Sequence, residues 1–268
     1  MNYELITLIR GAGDLASGIA LRLWRSGIGV VMTETARPTT IRRTVAFSQA
    51  VIDGQCSVED VTARRAEDVQ EARALLARGF LPVLVDPDCR CREELRPDAL
   101  VDAILAKRNL GTAITDAPVV IGVGPGFTAG VDCHAVVETM RGHTLGRAIY
   151  DGSALPNTAV PGLIGGFAGE RVLRAPADGV FTAARRIGDM VEAGDIAGFV
   201  ADIPMRCTIG GVLRGLLEDG TETTKGMKAG DVDPQGDPAY CLTASDKALA
   251  VGGGVLEAIL HFSGALAG

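Results

Sequence analysis

The run Gly11-x-Gly13-x-x-Ala16 constrains this chain more than any other stretch, because of what flanks it. A short apolar segment, residues 5–9, leads in, and an amphipathic segment with Leu15, Ile19, Leu23 and Trp24 on one stripe leads out. Gly27 stops that segment, and a second apolar run, 28–32, closes on Glu34. Strand, bend, helix and strand within roughly thirty residues open a βαβ unit. In such a bend the first glycine makes the tight turn and the second lets backbone approach a pyrophosphate. The small third residue lets helix pack on strand. The helix N-terminus then faces the anion, which makes Gly11, Gly13, Asp14, Leu15 and Ala16 candidate ligand contacts. Asp14 is the discordant member, since an acid there repels phosphate unless it points away. Glu34, 23 positions after Gly11, stands where a carboxylate takes a ribose hydroxyl.

The alternation continues, with a helix expected over 67–78, a strand over 81–85, a helix over 97–107 and a strand over 118–123. Alternating strands and helices predict a parallel, doubly wound sheet, so residues 1–160 are expected to form an α/β, Rossmann-like nucleotide-binding domain. After about residue 165 short β runs separated by Gly-Asp turns take over. Two segments there repeat at an offset of 32: Gly179, Gly188 and Gly194 land on Gly211, Gly220 and Gly226. Three glycines at identical separations predict two related units whose turns need positive φ. A small β-rich barrel or sandwich, resembling a biotinyl/lipoyl-like hybrid, is expected over 161–268, with a C-terminal helix capped by Ser245. Met227-Lys228 lies in the second unit but outside an Ala-Met-Lys-Met turn, so it reads as scaffold rather than carrier. The run Gly252-Gly253-Gly254 inside the last helix costs ~1 kcal/mol per glycine against alanine, so another element or a ligand must approach it closely.

Asp plus Glu is 33 against 26 Lys plus Arg, a formal charge of −7, and the chain holds 1 Trp, 3 Tyr and 7 Phe. An acidic, aromatic-poor surface lacks the basic footprint and stacking platforms of a nucleic-acid binder. The longest uncharged stretch, 152–169, is broken by glycine and proline and reads as a loop, not a membrane span. The N-terminus lacks the pattern of a signal peptide, so the expected address is cytoplasmic and the 6 cysteines are expected as thiols. Cys89-Arg90-Cys91 is the close pair, either two thiols of a surface loop or a soft-ligand or redox pair. No Cys or His spacing suits zinc; Asp231 and Asp233 in GDVDP could coordinate a divalent cation or serve ordinary turn chemistry, and are read as the turn, so no metal site is expected.

A second glycine-rich turn, Gly122-x-Gly124-Pro125-Gly126-Phe127, follows the strand over 118–123. It lacks the Gly-Lys-Ser/Thr of an NTPase loop. Open parallel sheets bind ligands beyond the carboxyl ends of their strands, so Gly124 and Gly126 are candidate site lining, with a plain turn as the alternative. The densest polar cluster comes next: Asp132, Cys133, His134, Glu138, Arg141, His143 and Arg147. On a helix, Cys133 and His134 would share a face with Glu138 and Arg141. Arg141 with His143 suits a phosphate or carboxylate. Cys133, whose thiolate Arg141 or His134 would favour, is the candidate thiol for a relay. Three function classes stay open from the residues: a nucleotide-binding accessory protein, an NAD(P)-dependent oxidoreductase, and a noncatalytic cofactor-binding chaperone. The absence of a Tyr-x-x-x-Lys pair counts against the second.

The segments VETMRGHTLGRAIYDGSA, GERVLRAPADG, KAGDVDPQGDPAYC and SDKALAVGGGVLEAIL, together with GAGDLASG, VDAILAKRNLGT and GPGFTAGVD, resemble the YqeB family. These are accessory proteins of selenium-dependent molybdenum hydroxylase systems. Departures from the family pattern stand at Ala159, Gln235 and Leu249. The resemblance implies a maturation or support role for a xanthine-dehydrogenase-like molybdenum hydroxylase client. The ligand it implies carries a nucleotide, such as the molybdopterin cytosine dinucleotide form of the molybdenum cofactor. No catalytic residues come with the name, and a homo-oligomer stays open.

Overall fold

The computed structural model describes residues 3–158, 162–163 and 165–264; Ala159 and the boundary expected at 160–161 lie outside them. The chain divides into two compact units. The first takes the chain up to Pro38, Ala46–Thr158 and the C-terminal part from Ala244. The second takes Thr39–Val45 and the chain on to Thr243. The C-terminal helix therefore belongs to the first unit, not to the β-rich half where the sequence reading put it.

In the first unit, β1 (Ile6–Arg10), α1 (Asp14–Arg25) and β2 (Gly29–Glu34) form the expected opening. Gly27 (φ +82) terminates α1: its amide bonds to Trp24 O, and the Ile28 amide bonds to Leu23 O. That paired closure satisfies the last carbonyls of a helix when the residue after the cap is left-handed. Next come α2 (Gln49–Asp53), β3 (Gln55–Val58), β4 (Val61–Ala66), α3 (Val69–Ala77), β5 (Leu81–Val85) and α4 (Arg92–Leu95). They are followed by β6 (Ala99–Asp102), β7 (Val119–Val123), β8 (Ala135–Val137) and β9 (Ala148–Ile149), and the unit closes with α5 (Asp246–Ser263). Among the described residues these strands make one nine-stranded sheet in the order β3-β4-β5-β2-β1-β6-β7-β8-β9. The stretch from β4 to β8 is parallel, and the two edge pairs, β3–β4 and β8–β9, are antiparallel.

The helix expected over 97–107 is instead β6 and a loop. Ala99, Leu100, Val101 and Asp102 are all at most 1% exposed, and a parallel strand covered on both faces reads as an unbroken apolar run, as a buried helix does. Leu105 (φ +58) and Lys107 (φ +64) are left-handed, which no helix accommodates. The segment after Cys133 and His134 is likewise the strand β8 rather than a helix.

In the second unit β10 (Val172–Arg174), β11 (Gly179–Ala183), β12 (Met190–Val191) and β13 (Ile196–Val200) are followed by a second set at the offset of 32. That set is β14 (Ile203–Arg206), β15 (Gly211–Leu216), β16 (Glu222–Thr223) and β17 (Lys228–Asp233). The six repeat glycines all have positive φ, from 80° at Gly220 to 146° at Gly211. Two sheets result, β10-β17-β15-β12 and β14-β13-β11-β16. Exchanging the two repeats turns one order into the other. Each sheet thus combines the first and third strands of one repeat with the second and fourth of the other, and equivalent residues meet in one core: Phe181 and Leu213, Ala197 and Ala229, Val200 and Val232, all 0% exposed. Asp231 and Asp233 lie in β17, not in a turn. They are buried against Arg171 and Arg214, with Arg214 bridging both carboxylates at 2.6 and 2.8 Å. Among the described residues no helix is long and apolar enough to cross a membrane.

Candidate functional site

The carboxyl ends of β1, β2, β6, β7 and β8 share one edge of the parallel sheet, and the site is built on that edge. The bend after β1 is held from three sides. The Gly11 amide donates to Thr33 O at 2.9 Å, the Ser48 amide to Ala12 O at 2.8 Å, and the Ser17 hydroxyl to Ala12 O at 3.2 Å. Gly11 has φ +100, and a Cβ there would stand 3.1 Å from Ala103 O, so glycine is required by both the turn and the approach of the chain after β6. Gly13 is the residue before α1 and offers no side-chain cap. The amides of Gly13, Leu15 and Ala16 find no acceptor among the described residues, which leaves the first turn of α1 able to hold an anion.

Glu34 does not stand free beside the bend. Its carboxylate accepts the Ala12 amide at 2.9 Å and the Thr35 amide at 2.8 Å, so the acid itself closes the turn. A carboxylate has about four lone-pair positions, and capacity for a ribose hydroxyl remains. Arg10, the last residue of β1, is 8% exposed. It donates to Asp102 (3.3 Å), Thr112 (3.1 Å), Leu110 O (3.2 Å) and Pro87 O (3.2 Å), while Thr112 donates to Asp102 at 2.6 Å. This buried cluster ties together the chain ends after β1, β5 and β6. The only sequence signal for it was a charged residue closing an apolar strand.

The second glycine-rich turn is occupied by the protein itself. A Cβ at Gly124 would lie 2.8 Å from the Thr139 hydroxyl, one at Gly126 2.6 Å from Arg108 Cα, and one at Gly122 2.4 Å from the Phe127 ring. Packing therefore accounts for these glycines, in line with the plain-turn alternative.

The polar cluster of residues 132–147 splits across β8. Cys133 and His134 precede the strand at one end; Arg141 and His143 follow it at the other. Cys133 is 0% exposed and its thiol is pushed up to about 11 by burial, so it is no thiolate and no partner of Arg141. His134 is structural: it accepts the Val120 amide on Nδ1 at 2.9 Å and packs its ring on Phe262 at 5.5 Å. Glu138, 2% exposed, accepts the amides of Thr139, Met140 and Leu155 at 2.7–2.8 Å and fixes the loop after β8. Arg141 makes a two-point ion pair with Asp246 at 2.7 and 2.8 Å. His143 is exposed on that loop.

One cation that the sequence reading passed over joins this edge. Lys247, at the start of α5, has its ammonium held below the usual lysine value by burial first and by Arg141 next. Asp14 opposes that shift, Lys107 adds to it and Glu138 opposes it. Lys247 thus stands among Arg141, Asp14, Lys107 and Glu138, without a hydrogen-bond or ion-pair partner of its own among the described residues. Asp14, the expected source of repulsion, lies near enough to Lys247 to favour its charged form. Among the described residues no group of three or more His, Cys, Asp or Glu is placed to hold a metal ion. The chemistry this edge supports is the capture of an anion.

No protein-family model matches the chain. The chain is 53% identical over 255 residues to "Uncharacterized protein YqeB" of Escherichia coli (strain K12), a match over 95% of this chain and 47% of that protein. It spans about half the length of the curated relative it matches, and the likeness supports a place in the YqeB family. Among solved structures, an aspartoacylase family protein from Mesorhizobium loti aligns at 11% identity and a TM-score of 0.27, over 86% of this chain and 85% of that one. A succinylglutamate desuccinylase from a Silicibacter species aligns at 12% identity and a TM-score of 0.25, over 87% and 85%. A succinylglutamate desuccinylase/aspartoacylase from Rhodobacter sphaeroides aligns at 21% identity and a TM-score of 0.22, over 24% and 22%.

Proposed function

We propose, with the likeness to YqeB as premise, that this chain is a YqeB-family accessory protein that binds a nucleotide-bearing ligand through its diphosphate in support of a molybdenum hydroxylase. The observation that carries the reading is the set of three unpartnered amides at the first turn of α1, at an edge that also holds Lys247, Lys107 and Arg141. Strand order supports it. From β1 the parallel sheet runs outward through β2 and β5 on one side and through β6 and β7 on the other. The chain therefore changes direction between β1 and β6, the kind of position where open α/β sheets take ligands. This is the Rossmann-like reading of the first unit. The interlocked four-strand repeats favour the biotinyl/lipoyl-like reading of the second, with a role in client contact.

The residues suit the diphosphate of molybdopterin cytosine dinucleotide: amides and a lysine for the phosphates, and the remaining lone pairs of Glu34 for a ribose hydroxyl. Cys133 has no part in this account. The test is a titration of the full chain with CTP, NADH, NADPH and the cytosine dinucleotide cofactor, read by fluorescence of the single Trp24 on α1. The expected result is saturable binding of the cytosine dinucleotide cofactor that weakens about tenfold or more in Lys247→Met, as for loss of one charge-assisted hydrogen bond. No binding, or equal binding by the variant, overturns the site. Substrate-dependent oxidation of NADPH would replace the accessory role with the oxidoreductase.

A further inference from the structure

The loop between β5 and α4 carries the one close pair of cysteines, and nothing in the anion site uses it. Cys89 is 2% exposed and has φ +57, a left-handed backbone that a residue with a Cβ adopts only when its surroundings hold it there. Asp86 does the holding: its carbonyl accepts the Cys89 amide at 3.0 Å and its carboxylate the Cys91 amide at 2.7 Å. Cys91 then turns right-handed (φ −54, ψ −19) into α4. Two Cα atoms two residues apart cannot exceed about 7 Å, and this left-then-right bend shortens that span toward the range a disulfide accepts.

Around the Cys89 sulfur the donors converge. The Cys91 thiol and Arg10 both lie close enough to favour a negative sulfur at Cys89. The Thr33 hydroxyl beside it is completely buried, makes no well-formed hydrogen bond among the described residues, and lies close enough to the sulfur to favour its negative form. An orphaned buried hydroxyl is costly, and a thiolate at Cys89 would accept a hydrogen bond from it. The nearness of Cys91 is the largest influence lowering the Cys89 value, against burial and Asp86; Cys91 itself is pushed up first by Cys89 and then by burial.

We infer that Cys89 and Cys91 form a reversible dithiol–disulfide site oxidised by a small hydroperoxide and reduced by a dithiol. The Cys89 thiolate attacks the peroxide's terminal oxygen; the O–O bond breaks, the alkoxide or hydroxide leaving group takes a proton from solvent, and Cys89 becomes a sulfenic acid. The Cys91 sulfur then attacks the Cys89 sulfur, the S–O bond breaks, and the hydroxyl leaves as water with the Cys91 proton. In sum two thiols and one hydroperoxide give one disulfide, one alcohol (water when the oxidant is hydrogen peroxide) and one water. A dithiol reverses this by exchange and becomes a disulfide itself. A hydroperoxide is the oxidant class that fits, because the nucleophile is nearly enclosed and only its neighbour Cys91 is half-exposed.

The test uses the full chain, reduced, then exposed to hydrogen peroxide, alkylated and digested with trypsin. Cleavage after Arg90 separates the two cysteines, so a disulfide joins two peptides that are otherwise apart. The expected result is the linked pair after peroxide, its loss on adding a dithiol, and a dimedone adduct on Cys89 in Cys91→Ser. Thr33→Val, which keeps the shape and deletes the hydroxyl, is expected to slow oxidation several-fold. Separate, fully alkylated peptides after peroxide in the native wild-type chain would overturn the proposal, as would equal rates in Thr33→Val.

Discussion

Cys133 carries no exposed surface, and burial pushes its thiol up to about 11, with Asp132 and Asp102 adding to the rise and a backbone hydrogen bond from Gly122 opposing it. A thiol whose folded value lies above its unfolded 9.0 contributes stability below that unfolded value and loses it as pH rises through about 11. At about pH 9 the unfolded chain's thiol is half ionised while the folded one stays protonated. Native Cys133 should therefore resist iodoacetamide there and react fully in urea, with the difference read by peptide mapping. Similar rates in the two states would mean that the side chain is not enclosed. The misplacement of Cys133 in the sequence reading has a local cause. β8 is three residues long, too short to display a period, and the charged residues on either side imitate the polar face of a helix. Lys247 was missed for the opposite reason: a lysine after a helix cap looks like ordinary solvated chemistry, and only the tertiary meeting with Arg141 and Lys107 gives it a role.

Among the elements, α5 shows how a costly sequence is explained by its neighbours. Gly252 lies where a Cβ would stand 2.9 Å from Gly18 O on α1, and Gly254 where one would stand 2.1 Å from Gly146 O; at Gly253 nothing lies within 4 Å. Two of the three glycines are thus contact points for backbone, and the third is only a conformational liability. Gly253→Ala should stabilise the first unit by ~0.5–1 kcal/mol, because alanine restricts the unfolded chain and suits the helix. Gly254→Ala should destabilise it by ~1–3 kcal/mol, the range for overpacking. Urea unfolding followed by Trp24 fluorescence checks both, since Trp24 lies on α1, which α5 packs against. Loss of stability in Gly253→Ala would contradict the open space seen there. The close approach itself was legible from the glycine run; its partner was not, because α1 and the residue-146 loop are far away in sequence. α1, β2, β5 and β7 were legible for the converse reason, each being bounded by its own local stops, whereas β6 had none.

At the scale of the molecule, the repeat at an offset of 32 carried the second unit's design in its glycines but not its pairing. Glycine spacing reports where a chain must turn left-handed. It does not say whether two equivalent units fold side by side or exchange strands. The structure takes the second course: β11 pairs with β16 and β12 with β15, each across the repeat boundary. Neither repeat completes a sheet alone, so damage to one must be felt in the other. Phe181 on β11 is fully buried, and Phe181→Ala should cost ~3–5 kcal/mol. If the strands are exchanged as described, faster amide hydrogen exchange in that variant will spread to β16 and β15 of the second repeat as well as β13 of the first. Exchange measured by mass spectrometry on peptides from each repeat decides this. A rise confined to residues 172–200 would mean that the repeats close on themselves, and the interlocked core that joins Phe181 to Leu213 would have to be abandoned.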